Sequence, residues 1–269
     1  MSINRREFFK IAGFAAALGL GGATVAAAVK KEVEASGPYL LDPKGLKAKR
    51  WAMAVDMAKF QSDADIQKCI DACHQVHNVP EVDPAHPTQE IKWLWTETYE
   101  HAFPGNEDEF IAPHYKHLPF LVLCNHCENP PCVRVCPTKA TFKRESDGVV
   151  MMDMHRCIGC RFCMAACPYG ARSFNFRDPR PFIKKELNRE FPTRTKGVVE
   201  KCTFCYERLA KGAMPACVEV SNGALAFGDI DDPDSDVRKV LDNNFTIRRK
   251  PELGTHPSVY YVIGGKEHA

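Results

Sequence analysis

Residues 157–168 read Cys157-Ile158-Gly159-Cys160-Arg161-Phe162-Cys163-Met164-Ala165-Ala166-Cys167-Pro168, a C-x2-C-x2-C-x3-C-P run. This is the spacing of a [4Fe–4S] ligand run, in which three thiolates wrap one cubane and the fourth serves a second. Such a run cannot close on itself, so the chain must carry a complementary one. It stands at Cys124-Asn125-His126-Cys127-Glu128-Asn129-Pro130-Pro131-Cys132-Val133-Arg134-Val135-Cys136-Pro137, a C-x2-C-x4-C-x3-C-P run. Exchange of the fourth ligands predicts cluster A on Cys124, Cys127, Cys132 and Cys167, and cluster B on Cys157, Cys160, Cys163 and Cys136.

The chain has thirteen cysteines in 269 residues. An odd count and C-x2-C clustering argue against a disulfide framework. Zinc sites lack the linked 2-2-3 spacing with its following proline. With 36 basic and 34 acidic side chains the net charge is +2, without the basic excess usual for nucleic-acid binders. No nucleophile–base pair stands in a recognisable motif. A closed four-thiolate cage offers no open position to a substrate, so the pattern points to electron transfer rather than catalysis.

Asn4-Arg5-Arg6-Glu7-Phe8-Phe9-Lys10, then an apolar stretch from Ile11 to Val29 and a small-residue Ala26-Ala27-Ala28 site, resembles a twin-arginine export signal over residues 1–37. Asn4 and Phe9 depart from the usual pattern. If retained, the stretch is long enough to anchor the chain in a bilayer. That route carries folded cargo, which suits a protein that must acquire its clusters before export. Pro38–Arg50 reads as a linker. Strands are predicted at Trp51–Asp56, Ile91–Trp95, 225–230 and 258–263, and helices at Asp63–Cys73, capped by Ser62 or Asp63, and at 235–244. Thr141–Ser146 and Val149–Asp153 flank Asp147-Gly148, a hairpin signal. Residues 78–118 are too long for a bare connection and read as an insert suited to a subunit contact, with an acidic patch at Glu107-Asp108-Glu109. The stretch 180–201 mixes Arg180, Lys184, Lys185, Arg189, Arg194 and Lys196 with Glu186 and Glu190 and reads as a solvated face. His126 reads as packing at a loop surface, and Cys69 as a buried inert thiol.

Two further cysteine groups, Cys69 with Cys73 and Cys202-Thr203-Phe204-Cys205 with Cys217, flank the inner runs. The four groups in order resemble the multi-cluster iron–sulfur subunits of membrane-associated oxidoreductases, the nitrite, polysulfide and dimethyl sulfoxide reductase type, over roughly residues 50–263. In that family the outer runs pair as the inner ones do. The resemblance therefore implies cluster C on Cys202, Cys205, Cys217 and Cys73. It also implies a fourth site whose positions here are Phe60, Ile66, Cys69 and Ser221, with one thiolate left, so that site is lost. Asp56-Met57-Ala58-Lys59 matches the residues that precede the missing first cysteine. Phe60 and Ile66 are expected to fill the vacated space. Three [4Fe–4S] clusters and one spare thiol account for the thirteen cysteines. Cys69-x3-Cys73-His74 is one residue longer than a c-haem attachment pattern, and the cluster ligand followed by a surface histidine is preferred.

The implied fold is α+β: two interleaved ferredoxin-like [4Fe–4S] units behind the N-terminal signal or anchor segment. Residues 124–196 form the inner unit, and residues 38–123 with 197–269 form the outer one, which carries the insert. Cys69–Pro80, Ile91–Trp95 and Glu252-Leu253-Gly254-Thr255-His256-Pro257 further resemble the DsrO subunit family of DsrMKJOP complexes. That implies a place on the periplasmic, exocytoplasmic face of the cytoplasmic membrane. It also implies an NrfD-type integral membrane quinone-interacting partner, a multihaem cytochrome c, the other Dsr subunits and a role in dissimilatory sulfur metabolism. Alternatives are the electron-transfer subunit of a molybdopterin oxidoreductase and an iron–sulfur redox sensor.

Overall fold

The structure, a computed structural model, describes residues 43–81, 85–86, 89–106 and 118–265. The export signal read in residues 1–37 and the acidic patch at Glu107–Glu109 lie outside them. No helix among the described residues is long and apolar enough to cross a membrane.

The strands are β1 (Trp51–Asp56), β2 (Leu94–Glu97), β3 (Phe120–Leu123), β4 (Thr141–Lys143), β5 (Val150–Met152), β6 (Ser173–Phe174), β7 (Val199–Glu200), β8 (Leu225–Asp229), β9 (Asn244–Ile247) and β10 (Val259–Gly265). The helices are α1 (Asp63–Val76), α2 (Tyr99–Ala102), α3 (Pro131–Arg134), α4 (Phe162–Ala165), α5 (Tyr206–Leu209), α6 (Ala216–Glu219) and α7 (Asp236–Asn243). The principal sheet has the order β8-β1-β10-β9. β1 pairs in parallel with β10, Met53 opposite Val259, and antiparallel with β8, Met53 opposite Phe227. Segments from both sides of the inner runs thus share one sheet, β1 preceding those runs and β8, β9 and β10 following them.

Alternation decides what each face of β1 touches. Trp51, Met53 and Val55 enter the main core with Phe227 and Tyr261. Ala52 and Ala54 face α7 with Ile230 and Val237. Small residues are needed there because α7 approaches closely: a Cβ on Gly228 would come within 3.1 Å of the Ser235 Cβ. Ser235 caps α7, its Oγ accepting from the Arg238 N–H at 3.3 Å.

α1 runs to Val76, three residues beyond the expected end, and buries Ile66, Cys69, Ile70 and Cys73 on one stripe. Its neighbour Ser62 gives no side-chain cap and instead donates to Asp65 Oδ2 at 3.0 Å. The predicted strand at 91–95 is displaced to Leu94–Glu97, where it pairs with β3, Leu94 opposite Leu123. The hairpin around Asp147-Gly148 forms, but pairs only Thr141–Lys143 with Val150–Met152. The Asp147 carboxylate takes the flanking positions out of the ladder by binding the Arg144 side chain, the Val149 N–H and the Trp51 indole.

Candidate metal centre: three cysteine quartets

β3 delivers the chain directly into Cys124. Cys132 lies in α3, whose first residue, Pro131, needs no N–H partner. Cys167 follows α4. Cys124, Cys127, Cys132 and Cys167 line one recess of ≈ 320 Å³ together with Val150, Tyr169, Ala171 and Arg172. Cys136, Cys157, Cys160 and Cys163 line a second of ≈ 270 Å³ with Thr141, Met152, Arg161 and Val199. Each quartet is the one that the exchange of fourth ligands requires.

The third quartet forms where two helices meet. α1 packs on α6, which brings Cys73 from one onto Cys217 from the other. Burial pushes the Cys73 thiol well above the usual range, and the adjacent Cys202, Cys205 and Cys217 sulfurs push it further. The Cys202 thiol is pushed up to about 12 by burial and then by Cys124, so the third quartet abuts the first. The Cys163 thiol is likewise raised by burial, with Cys132 contributing, so the first abuts the second. The three lie in the order C, A, B. Site B is nearest to solvent: Cys160 is exposed and Cys136 and Cys157 are half-buried.

The residue before Cys127, Cys160 and Cys205 adopts a left-handed backbone: His126 at φ 41°, Gly159 at 71° and Phe204 at 56°. For His126 and Phe204 this is strained, and strain of this kind persists where a site over-determines it. Sulfurs accept backbone N–H groups nearby, Phe204 to Cys202 Sγ at 3.5 Å and Thr141 to Cys136 Sγ at 3.4 Å. Gly159 has no alternative, since an added Cβ would sit 2.5 Å from the Gly197 carbonyl oxygen. Gly159→Ala is therefore expected to cost more than about 1 kcal/mol, read as a fall in the thermal unfolding midpoint.

The donor sets fit iron–sulfur clusters. At sites A and C the crowded, largely buried thiols cannot all ionise unaided, whereas a multivalent metal core deprotonates its thiols outright. All-sulfur tetrads suit soft sites. Arg172, buried among Cys132, Cys163, Cys124 and Cys167, keeps one guanidinium nitrogen, Nη2, without a hydrogen-bond partner. Such a cation demands an anionic neighbour.

At the fourth site Phe60, Ile66 and Cys69 are all buried in the main core. The Ser221 hydroxyl donates to the Val218 carbonyl at 2.8 Å and accepts from the Leu225 N–H at 3.1 Å, so it is spent on the backbone.

Several sequence readings are corrected. His126 is fully buried, not at a surface, and its ring stacks on Phe204, between Cys202 and Cys205, at 3.7 Å between centroids. Its Nδ1 accepts from the Val150 N–H at 3.1 Å. Burial pushes its pKa well below the usual histidine value. His74 is half-buried rather than on the surface, and burial lowers its pKa to about 4. Arg194 does not belong to a solvated face: it is fully buried, paired with Glu200 at 2.7 Å. Sequence reasoning missed His77, which lies 3.6 Å from Cys73 Sγ through Nδ1 and 2.7 Å from Glu207 through Nε2. Only its position one helical turn after Cys73 could have flagged it.

The 4Fe–4S dicluster domain matches residues 116–179. Over 98% of its length the chain is 41% identical to the Hdr-like menaquinol oxidoreductase iron–sulfur subunit 1 of Archaeoglobus fulgidus, all of which is covered. The chain belongs to the family of iron–sulfur electron-transfer subunits of oxidoreductase complexes. It is also 34% identical to the menaquinone reductase iron–sulfur cluster-binding subunit of Nitratidesulfovibrio vulgaris, over 79% of this chain and 88% of that one. The NrfC homologue of Haemophilus influenzae is 34% identical over 96% of this chain and 94% of its own. On this chain the dicluster match spans the two inner runs, and so covers sites A and B but neither outer group.

Proposed function

We propose that this chain is the exocytoplasmic electron-transfer subunit of a membrane-bound redox complex of the DsrO type. It holds three [4Fe–4S] clusters: A on Cys124, Cys127, Cys132 and Cys167, B on Cys157, Cys160, Cys163 and Cys136, and C on Cys202, Cys205, Cys217 and Cys73. The fourth site is closed by Phe60 and Ile66, with Cys69 and Ser221 carrying no metal. The observation that carries this reading is the meeting of Cys73 with Cys202, Cys205 and Cys217 across α1 and α6.

Bound clusters would supply one-electron uptake and release, at potentials set by charge, hydrogen bonds and solvent access. The protein's part is arrangement. The paired runs hold the sites in contact in the order C, A, B. Phe204 and His126 fill the space between the loops of C and A and exclude water there. The exposed Cys160 end opens site B to a partner.

The twin-arginine pattern supports export, and the relatives named for menaquinol and menaquinone support a quinone-linked membrane partner. That partner is of NrfD type, the other a multihaem cytochrome c, and the pathway dissimilatory sulfur metabolism. Purification of the native complex from membranes tests this. The expected result is co-purification with a polytopic subunit and a haem c subunit, and bleaching of the iron–sulfur absorbance by menaquinol. Recovery instead with a molybdopterin subunit, or as a free cytoplasmic protein, overturns it.

A further inference from the structure

Fixed charge is distributed unevenly over the three sites. Arg194 shows the ordinary way to bury a cation, because its partner Glu200 is equally buried. Arg172, Lys201 and Arg249 are buried as deeply, yet among the described residues none of them has a carboxylate within ion-pair distance. Arg172 and Lys201 border site A, and Arg249, whose guanidinium donates to the Ala102 and His101 carbonyls, backs onto its wall. Arg172 lines its recess, with Nη1 donating to Thr141 Oγ1 at 3.1 Å. The Lys201 amino group donates to the carbonyls of Val150, which also lines the recess, and of Cys202, at 2.7 Å to the latter. Arg249 lies over the ring of Tyr169, 5.6 Å from its centroid, on the wall of the same recess. Lys250 adds a fourth, its Nζ donating to the Pro168 carbonyl at 2.7 Å. No carboxylate is among the described residues lining the recess.

Site C has the opposite character. Glu207 stands beside site C, with a carboxylate oxygen within 4.8 Å of the Cys205 sulfur and 2.7 Å from His77 Nε2. Its carboxylate is mostly buried, with 21% side-chain exposure, and so is weakly screened.

Reduction adds one negative charge to a cluster. A nearby fixed cation stabilises the reduced form, a nearby carboxylate opposes it, and low local dielectric amplifies both. Resting on the three-cluster reading above, we propose that Arg172, Lys201, Arg249 and Lys250 make the central site A the electron well of the chain, and that Glu207 holds site C below it, so that the step from C to A runs downhill. Arg172 lies between A and B and acts on both. Lys201 lies between C and A and acts on both. Glu207 acts on C alone. These are positioning residues for charge and touch no substrate.

The overlap of these three patterns makes the assignment testable without labelling any cluster. The iron-loaded chain is titrated potentiometrically and followed by EPR in the wild type and in Arg172→Gln, Arg172→Lys, Lys201→Met and Glu207→Gln. Arg172→Gln and Lys201→Met are each expected to lower two components and to share one, which is A. Each shift should change the reduction equilibrium at least tenfold, 59 mV for a one-electron couple. Glu207→Gln should raise the component that Lys201→Met lowers and Arg172→Gln leaves in place, which is C. In the wild type C should titrate below A. Arg172→Lys keeps the charge and should leave the potentials within a factor of two in equilibrium constant.

Unshifted potentials in both Arg172→Gln and Lys201→Met overturn the proposal. So does a component raised by Glu207→Gln that titrates above the shared one. If Arg172→Gln fails to retain iron, Lys201→Met, Glu207→Gln and the wild-type order still decide. An iron content far from about twelve per chain refutes the cluster count instead, and is measured first on the same samples.

Discussion

Cys73→Ser should remove one cluster, lowering the iron content from about twelve to about eight per chain, while Cys69→Ser should leave it at about twelve. The two thiols stand one turn apart on the same buried stripe of α1, so burial and helix position do not distinguish them. Their surroundings do. Cys73 faces Cys202, Cys205 and Cys217, and His77 Nδ1 lies 3.6 Å from its sulfur. Cys69 is raised to about 11 by burial, with Asp65 its chief charged neighbour. Cys73, by contrast, has the sulfurs of Cys202, Cys205 and Cys217 as its chief charged neighbours, which makes it the fourth corner of their tetrad. Iron and acid-labile sulfide analysis with EPR spin counting reads the outcome. Iron lost in Cys69→Ser and kept in Cys73→Ser would exchange their roles, and about sixteen irons in the wild type would mean that the fourth site is alive. Because ligands and folding are coupled, Cys73→Ser should also lower the unfolding midpoint, and Cys69→Ser much less.

The ligand runs were legible because cluster chemistry is written locally. Three thiolates on one loop need fixed spacing, and the fourth, just before a proline, names its partner run. β1 and α1 were legible because their periodicity reports two covered faces and one buried stripe. What stayed hidden depends on contacts between distant segments. His126 looks like an ordinary loop residue until Phe204, 78 positions later in the numbering of the chain, stacks on it. The strand read at Ile91–Trp95 begins later because Trp93 is drawn out of the ladder, its indole donating to Glu200 at 2.7 Å and its ring stacking on His77 at 4.3 Å. Arg172 and Lys201 look like routine charges in sequence. Their meaning comes from the absence of a carboxylate beside them among the described residues and the presence of sulfur.

Arg194→Met is expected to destabilise the protein by about 3–5 kcal/mol, because it leaves the Glu200 carboxylate buried without its cation. The pair sits at zero side-chain exposure on both sides. Glu200 also accepts from the Trp93 indole and the Asn175 amide. Arg194 reaches on through Nη1 to the Asn78 carbonyl at 2.6 Å, just past the end of α1. The network therefore ties the region after Cys73, the strand region of the insert and β7, which leads straight into Lys201 and Cys202. Glu200→Gln should cost about as much by the reverse argument, since it strands the guanidinium. The double variant Arg194→Met with Glu200→Gln should be less destabilised than the sum of the two, as partners in one network couple. Denaturant unfolding of the iron-loaded protein measures all three. Simple additivity would show that the two side chains are energetically independent. A change below about 1 kcal/mol in either single variant would mean that water enters to solvate the survivor. If the network holds β7 in register, iron retention after a mild chelator challenge should fall first in the quartet of Cys202, Cys205, Cys217 and Cys73, because β7 presents two of its ligands while the inner runs are anchored by β3 and the β4–β5 hairpin.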